Sequence, residues 1–427
     1  AREIVQTHRY LRIENHRVAA GRSIALVTID APPVNSLNER SLDELGTVLQ
    51  HLATREETAA VVITGARNAF VAGADVKELM EIGEAGDLES AQTPPNAAHA
   101  AFSLLEDLGK PVLAAVNGPA LGGGSELVLA CAFVVADRRA RFGQPEINLH
   151  LLPGYGGTQR MPRRLRAARG EEGLVDALRI ILSGRAIDAE EASAVGLVDQ
   201  VVGDDGPGPV ETAMALARAW IRGEDGPLRA RMAAREDYLA SRDEPFGLGD
   251  ELLDHPKIAP ALAQLRRSGR GKPVARILEA LRKGAEEGQG AGLAHEARLF
   301  AEAVCDPACG PVGIRAFLEK RSAPLPVRHV AVPPDADAAT RARLEAEGRL
   351  LSLDGAFYAG VTPIPEYQYG MGVTKDPVTG LPRHADPIDS EQLIVLETPA
   401  PGPNEALVYL LASEVNYNDI WALTGIP

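Results

Sequence analysis

Glu126 and Glu146 are two carboxylates beside glycine-rich turns, a combination that could form an acid/base site. Glu126 follows a glycine triplet in V-N-G-P-A-L-G-G-G-S-E-L, and Glu146 comes twenty residues later in F-G-Q-P-E-I-N-L. A second glycine cluster, Gly154, Gly156 and Gly157, lies close behind it in L-P-G-Y-G-G-T. Taken singly, two glutamates are ordinary surface charges. The glycines change their meaning. A helix that starts after Gly122-Gly123-Gly124 exposes backbone N–H groups and the positive end of its dipole. Such a start stabilises negative charge developing on an oxygen. A carboxylate beside it works as acid or base when burial or a like charge raises its pKa. Val71-Ala72-Gly73-Ala74-Asp75 is a second strand-to-helix turn and can bring another N–H to the same oxygen.

Other candidates carry less. Cys305-x-x-x-Cys309 has no matching second pair and reads as free thiols. Gly269-Arg270-Gly271-Lys272-Pro273 lacks the spacing and the Ser/Thr of a phosphate loop. The nine histidines are scattered, and no Ser-His-Asp pattern stands out. Lys77, Arg163, Arg164 and Arg166 read as solvated charges, some of them open to a phosphate-bearing ligand.

The elements that must position these residues alternate. Strands are expected at 10–14, 24–30, 59–64, 112–116, 132–136 and 198–202, with helices between them. Ser41 and Glu44 form a possible capping box for a helix carrying Leu42, Leu45, Leu49 and Leu52 at helical spacing. Residues 83–97 read as a loop, with helix resuming at 99–108. This pattern argues an α/β layer domain with mostly parallel pairing. From about 210 to 320 the strands disappear, and 213–222, 274–287 and 294–304 are helical by period. A Pro-rich linker follows from 322. A tail rich in Tyr, Gly and Pro, with strands at 393–398 and 405–413, looks like the opening of an all-β unit.

Composition excludes several classes. The chain has 427 residues, enough for two or three domains, and is 45% hydrophobic and 24% charged, as soluble globular proteins are. A formal net charge of −15 argues against a binder of nucleic acid or of anionic membranes. Its longest apolar run, 127–136, is ten residues, about half a membrane span. Three cysteines suit a reducing compartment, so a cytoplasmic location is expected. The start, A-R-E-I-V-Q-T-H-R, is polar and lacks an initiator Met, so no signal peptide is expected, and the last residues are Leu-Thr-Gly-Ile-Pro427. Both ends are expected to be cuts from a larger polypeptide.

P-V-N-S-L-N, F-V-A-G-A-D-V-K-E, V-N-G-P-A-L-G-G-G-S-E-L, F-G-Q-P-E-I-N-L and P-G-Y-G-G-T-Q-R, in this order, resemble the enoyl-CoA hydratase/isomerase (crotonase) superfamily over roughly residues 8–205. The resemblance implies a crotonase-like spiral of ββα units that binds acyl-CoA thioesters. It assigns Glu126 and Glu146 as the two hydratase carboxylates. It places the Ala74 and Gly123 N–H groups in an oxyanion hole, Ala72 against the CoA adenine and Gly154 near the bound water. Gly73, Asp75, Lys77 and Gly122 are carried over as further substrate or CoA contacts. No metal or redox cofactor is implied for this module.

Residues 206–321 resemble the helical extension of hydratase modules in multifunctional β-oxidation proteins. After a linker and helix at 322–350, residues 351–427 resemble the β-rich start of a medium-chain reductase of the crotonyl-CoA reductase type, for which NADPH would serve. That module order is similar to the ligase–hydratase–reductase fusions of the propionyl-CoA synthase type. It implies dehydration of 3-hydroxypropionyl-CoA to acryloyl-CoA beside fused reductase and ligase modules, in a homo-oligomer. Enoyl-CoA isomerisation, and a non-catalytic scaffold role, remain open. The stretch 160–182 is longer than the family's usual one.

Overall fold

The computed structural model describes residues 2–322, except 20, 33, 204 and 205, together with 343, 367–373 and 391–397. The chain divides into two units, Ala1–Arg321 and Ser322–Pro427. In the second unit, Tyr367–Val373 pairs antiparallel with Glu391–Glu397. The rest of the expected linker and reductase-like segment, including the strand at 405–413, lies outside the described residues.

The first unit is mixed α/β. Its strands are β1 (Arg2–Thr7), β2 (Leu11–Ala19), β3 (Arg22–Ile29), β4 (Thr58–Gly65), β5 (Val112–Val116), β6 (Pro119–Leu121), β7 (Phe133–Asp137), β8 (Arg141–Gly143), β9 (Ile187–Asp188) and β10 (Gln200–Val202). Helices α1 (Glu39–Thr54), α2 (Val76–Ala85), α3 (Leu88–Glu106), α4 (Gly123–Ala130), α5 (Gly157–Arg169), α6 (Glu171–Ser183) and α7 (Ala189–Ala194) lie between them. Helices α8 (Pro209–Ile221), α9 (Pro227–Ser241), α10 (Ala259–Arg267), α11 (Gly271–Glu287), α12 (Gln289–Cys305) and α13 (Gly310–Ser322) follow.

The main sheet runs β1-β2-β3-β4-β5-β7-β10, and the smaller one β6-β8-β9. The first two pairings of the main sheet are antiparallel and the rest parallel. Parallel strands are covered on both faces, so they read as continuous apolar runs rather than alternations. β5, V-L-A-A-V, is buried throughout. Leu26, Val62, Leu113 and Phe133 meet α8 on one face. Val27, Val61, Val112 and Ala114 share the other face's core with Leu45 and Leu49 of α1 and Phe102 of α3.

Local chemistry departs from three expectations. The capping box of α1 is Asn38 with Ser41: Ser41 N donates to Asn38 Oδ1 at 2.8 Å and Asn38 N to Ser41 Oγ at 2.9 Å. Glu44 instead accepts the Tyr10 and Leu11 N–H groups at 3.0 and 3.1 Å, tying α1 to β2. Residues 83–97 are mostly helix. α2 closes on Gly86 (φ +68°) and α3 starts at once, with Asp87 accepting from Glu89 N. Pro94 and Pro95 lie inside α3 and are buried. They remove two N–H donors, which is why the stretch reads as a loop.

The third departure concerns the arginines. Residues 160–182 complete α5 and form most of α6, joined at Gly170. Arg163 and Arg164 are buried, not solvated. Arg163 donates to the carbonyls of Arg242, Gln159 and Gly284. Arg164 donates to the Cys131 and Leu197 carbonyls at 2.8 and 3.1 Å and pairs with Asp199. A guanidinium offers five donors in a fixed fork. The Arg164 bond to Cys131 caps the C-terminal end of α4, where positive charge also suits the helix dipole. Arg166 stays exposed, over the Phe246 ring.

Candidate active site

Two backbone turns are stitched together first. Val71 bridges Ala120 in parallel, and Leu37 bridges Ala74. Leu37 N donates to Gly73 O and Asp75 N to Leu37 O, both at 2.8 Å, so P-V-N-S-L-N pins the Gly73–Asp75 turn from outside. A Cβ on Gly124 would lie 2.0 Å from the Val71 carbonyl oxygen, so only glycine lets α4 start against this turn. Gly122 has φ +51° and donates its N–H to Gly143 O on β8 at 2.9 Å. A Cβ there would meet Glu146 Oε1 at 2.5 Å. Among the described residues, neither the Ala74 nor the Gly123 N–H has a protein acceptor.

These turns border a cavity of about 170 Å³. Glu126 enters it from the first turn of α4, and Glu146 from the short 3-10 turn Pro145–Leu149 after β8. Ala72, Gly73, Ala74, Gly122, Gly123 and Gly154 also line it. Two of the sequence-assigned residues do not. Asp75 caps α2, accepting from Lys77 N at 2.9 Å, and Lys77 is exposed. Val76, Leu79, Leu149 and Leu151 supply an apolar wall, closed by Phe300 of α12 and Phe317 of α13.

The two glutamates differ in their partners. Tyr155 N and Gly157 N donate to Glu126 Oε1 at 2.8 and 2.7 Å. Glu146 Oε2 is buried with no hydrogen-bond partner among the described residues. Burial, and then the charges of Glu146 and Glu296, hold the Glu126 pKa well above the usual carboxylate range. Burial also lifts Glu146, to about 8. Like charges in a dry site do not both ionise, so the pair keeps a proton at neutral pH. The Tyr155 and Gly157 donors work to lower Glu126, and a backbone N–H does the same for Glu146, whose Oε2 accepts from nothing among the described residues.

This has a consequence for stability. The folded chain holds a proton on Glu146 that the unfolded chain releases between about pH 4.5 and 8. Its stabilising effect is complete below that window and is lost as pH rises through it. Glu146→Gln is therefore expected to raise Tm at pH 8 by several degrees, each 1 kcal/mol being worth roughly 2–4 °C in a domain of this size. At pH 5 it should leave Tm near wild type. Thermal melts at the two pH values check this, and equal shifts at both would contradict it.

Sequence reasoning missed two groups. Tyr155 lines the cavity at 2% exposure, packed between Phe102 and Phe300, and its hydroxyl has no partner among the described residues. Glu296 of α12 is fully buried and takes two amides of the same glycine turn, Gly156 N at 2.6 Å and Thr158 N at 3.0 Å. Only the glycine cluster itself, an expected site turn needing acceptors for its amides, could have prompted a search for it.

Residues 19–242 match the family model described as enoyl-CoA hydratase/isomerase. The chain is 33% identical over 291 residues to the peroxisomal fatty acid beta-oxidation multifunctional protein MFP2 of Arabidopsis thaliana, covering 66% of this chain and 36% of that protein. It is 41% identical over 181 residues to the short-chain-enoyl-CoA hydratase of Clostridium acetobutylicum, covering 42% and 65% respectively. The chain thus spans little more than a third of the multifunctional relative. Among solved structures, the enoyl-CoA hydratase of Bacillus halodurans is similar in fold, with a TM-score of 0.51 at 16% identity, covering 72% of this chain and 99% of that one.

Proposed function

The chain belongs to the enoyl-CoA hydratase/isomerase family, and from that membership we propose that it is a hydro-lyase, an enoyl-CoA hydratase that runs equally as a 3-hydroxyacyl-CoA dehydratase. The observation that carries this reading is the pair of glutamates on one small cavity, one hydrogen-bonded as a carboxylate and the other suited to hold a proton.

In hydration, Glu126 takes a proton from water as the water oxygen bonds to C3. Electrons move from the C2–C3 double bond toward the thioester oxygen. The Ala74 and Gly123 N–H groups, with the dipole of α4 behind the second, stabilise that oxygen. Glu146 then delivers its proton to C2. Dehydration reverses each step: Glu146 takes the C2 proton, and Glu126 protonates the leaving hydroxyl. The pair takes one proton from water and gives one to C2, so it begins and ends with a single proton, and no electron is gained or lost, so the chemistry calls for no redox cofactor. CoA is the handle of the substrate.

The cavity favours a short acyl group. At about 170 Å³ it is smaller than the ~300–1,000 Å³ of ordinary ligand pockets. We propose 3-hydroxypropionyl-CoA and acryloyl-CoA as the pair interconverted, within a cytoplasmic, homo-oligomeric fusion. In that fusion a ligase supplies the thioester, and an NADPH-dependent reductase beginning at 351–427 consumes the enoyl product. Purified chain assayed on C3, C4 and C8 2-enoyl-CoA substrates is expected to hydrate the first two at least tenfold faster than the third. Equal rates would remove the short-chain assignment. No hydration of any of them, with turnover of a 3-enoyl-CoA instead, would remove the hydratase reading.

A further inference from the structure

Four consecutive amides, from Tyr155 to Thr158, are shared between two buried carboxylates. Tyr155 N and Gly157 N go to Glu126 Oε1. Gly156 N donates to Glu296 Oε1 at 2.6 Å and Thr158 N to Glu296 Oε2 at 3.0 Å. The Thr158 hydroxyl also donates to Glu296 Oε2, and His99 Nε2 of α3 stands 3.1 Å from Glu296 Oε1. Gly156 sits at φ +107°, which turns alternate peptide planes to opposite sides. Glu296 is 0% exposed and belongs to α12, a helix whose Phe300 also walls the cavity.

We propose that Glu296 is a positioning residue of the hydration site: it fixes the Tyr155–Thr158 turn in the one register that presents the Tyr155 and Gly157 N–H groups to Glu126. The inference rests on the hydratase reading above. Without Glu296, the buried Gly156 and Thr158 amides lose their acceptors, each at a cost of roughly 1–3 kcal/mol. Glu126 already holds the other two amides of the same turn. A turn that rotates to share it draws Glu126 out of line with C3. A misplacement on the order of 1 Å costs about 10²-fold in rate. Glu296 also contributes charge. Glu126 and Glu146 both face it, and its carboxylate raises the pKa of each. His99 beside it, the Arg160–Glu106 pair on the flanking helices, and the buried Tyr155 hydroxyl, on which Glu78 and Asp75 also act, are further ionisable groups around the turn.

Two variants separate geometry from charge. Glu296→Asp keeps the charge but withdraws the carboxylate by one methylene. Its kcat for crotonyl-CoA hydration is expected to fall about tenfold or more, with KM within twofold and the pH profile in place. Glu296→Gln keeps the length but puts an amide group, a donor, where an acceptor was. Its kcat is expected to fall about 10–100-fold, and the alkaline limb of the profile to move to lower pH. Thermal melts show that each variant is folded at the assay temperature, and the aspartate variant stands in if the glutamine variant is not. Folded variants with kcat within twofold of wild type and an unmoved profile would overturn the proposal, because a merely structural glutamate changes Tm alone. An inactive wild type would instead overturn the hydratase reading and this inference with it. Wild-type hydration that is lost in Glu126→Gln and kept in both Glu296 variants would overturn this inference only.

Discussion

Glu126→Gln is expected to lower kcat for crotonyl-CoA hydration by about 10³-fold, with KM changed little. Positioned acid–base groups contribute roughly 10²–10⁴-fold each. The amide has the shape of the carboxyl, and its oxygen can keep the two N–H bonds now made by Tyr155 and Gly157. Fold and binding are therefore preserved, and what disappears is an acceptor for the proton of water. Glu146→Gln is expected to lose a similar factor for the opposite reason, having no proton to give to C2. The double variant should lose little more than either single one, because in the proposed mechanism the two residues act on one water as a unit. Loss of enoyl-thioester absorbance measures all three. Wild-type rates in both single variants would end the assignment.

A second large effect is expected in stability. Arg160 and Glu106 are both fully buried and face each other at 3.1 Å. Glu106 Oε2 also accepts from Gln289 Nε2 at 2.9 Å, while Arg160 donates to Ser103 Oγ at 3.0 Å and to the Tyr155 carbonyl at 3.3 Å. The pair thus joins α3, α5 and α12 behind the glycine turn. Glu106→Gln leaves the guanidinium charged, buried and unpaired, which costs about 3–5 kcal/mol. Replacing both partners, as in Glu106→Leu with Arg160→Met, should recover most of that loss, since well-packed apolar groups often match a buried ion pair. Urea denaturation followed by circular dichroism measures each variant. A loss below about 1 kcal/mol in the single variant would show that the charge is compensated elsewhere.

What the sequence disclosed depended on how local the signal was. Glu126, Glu146 and Gly123 sit in short glycine-rich runs, where residue type, spacing and backbone conformation are one piece of information. The strands of the parallel sheet were legible because burial on both faces writes itself as unbroken runs such as V-L-A-A-V. The first half of α3 was hidden, though its second half was expected at 99–108, because Pro94 and Pro95 are read as helix breakers, yet both are held within a helix already capped by Asp87. Arg163 and Arg164 were misread because a charge is solvated by default. Only the fold brings them under the carbonyls of Gly284, Cys131 and Leu197. Glu296 carried no local mark, since a glutamate on a late helix becomes part of a site only when tertiary packing delivers it.

That delivery has a price in time. Glu296 is 140 residues downstream of Gly156 and 197 downstream of His99. Contacts of such separation close large loops, and chains that depend on them fold slowly. On a ribosome adding roughly 5–20 residues per second, the glycine turn emerges about 7–28 s before its clamp. For that interval the nascent chain holds both glutamates and both donor turns without the helix that sets their alignment. The sheet can form early, but a competent proton pair must wait for the last helices.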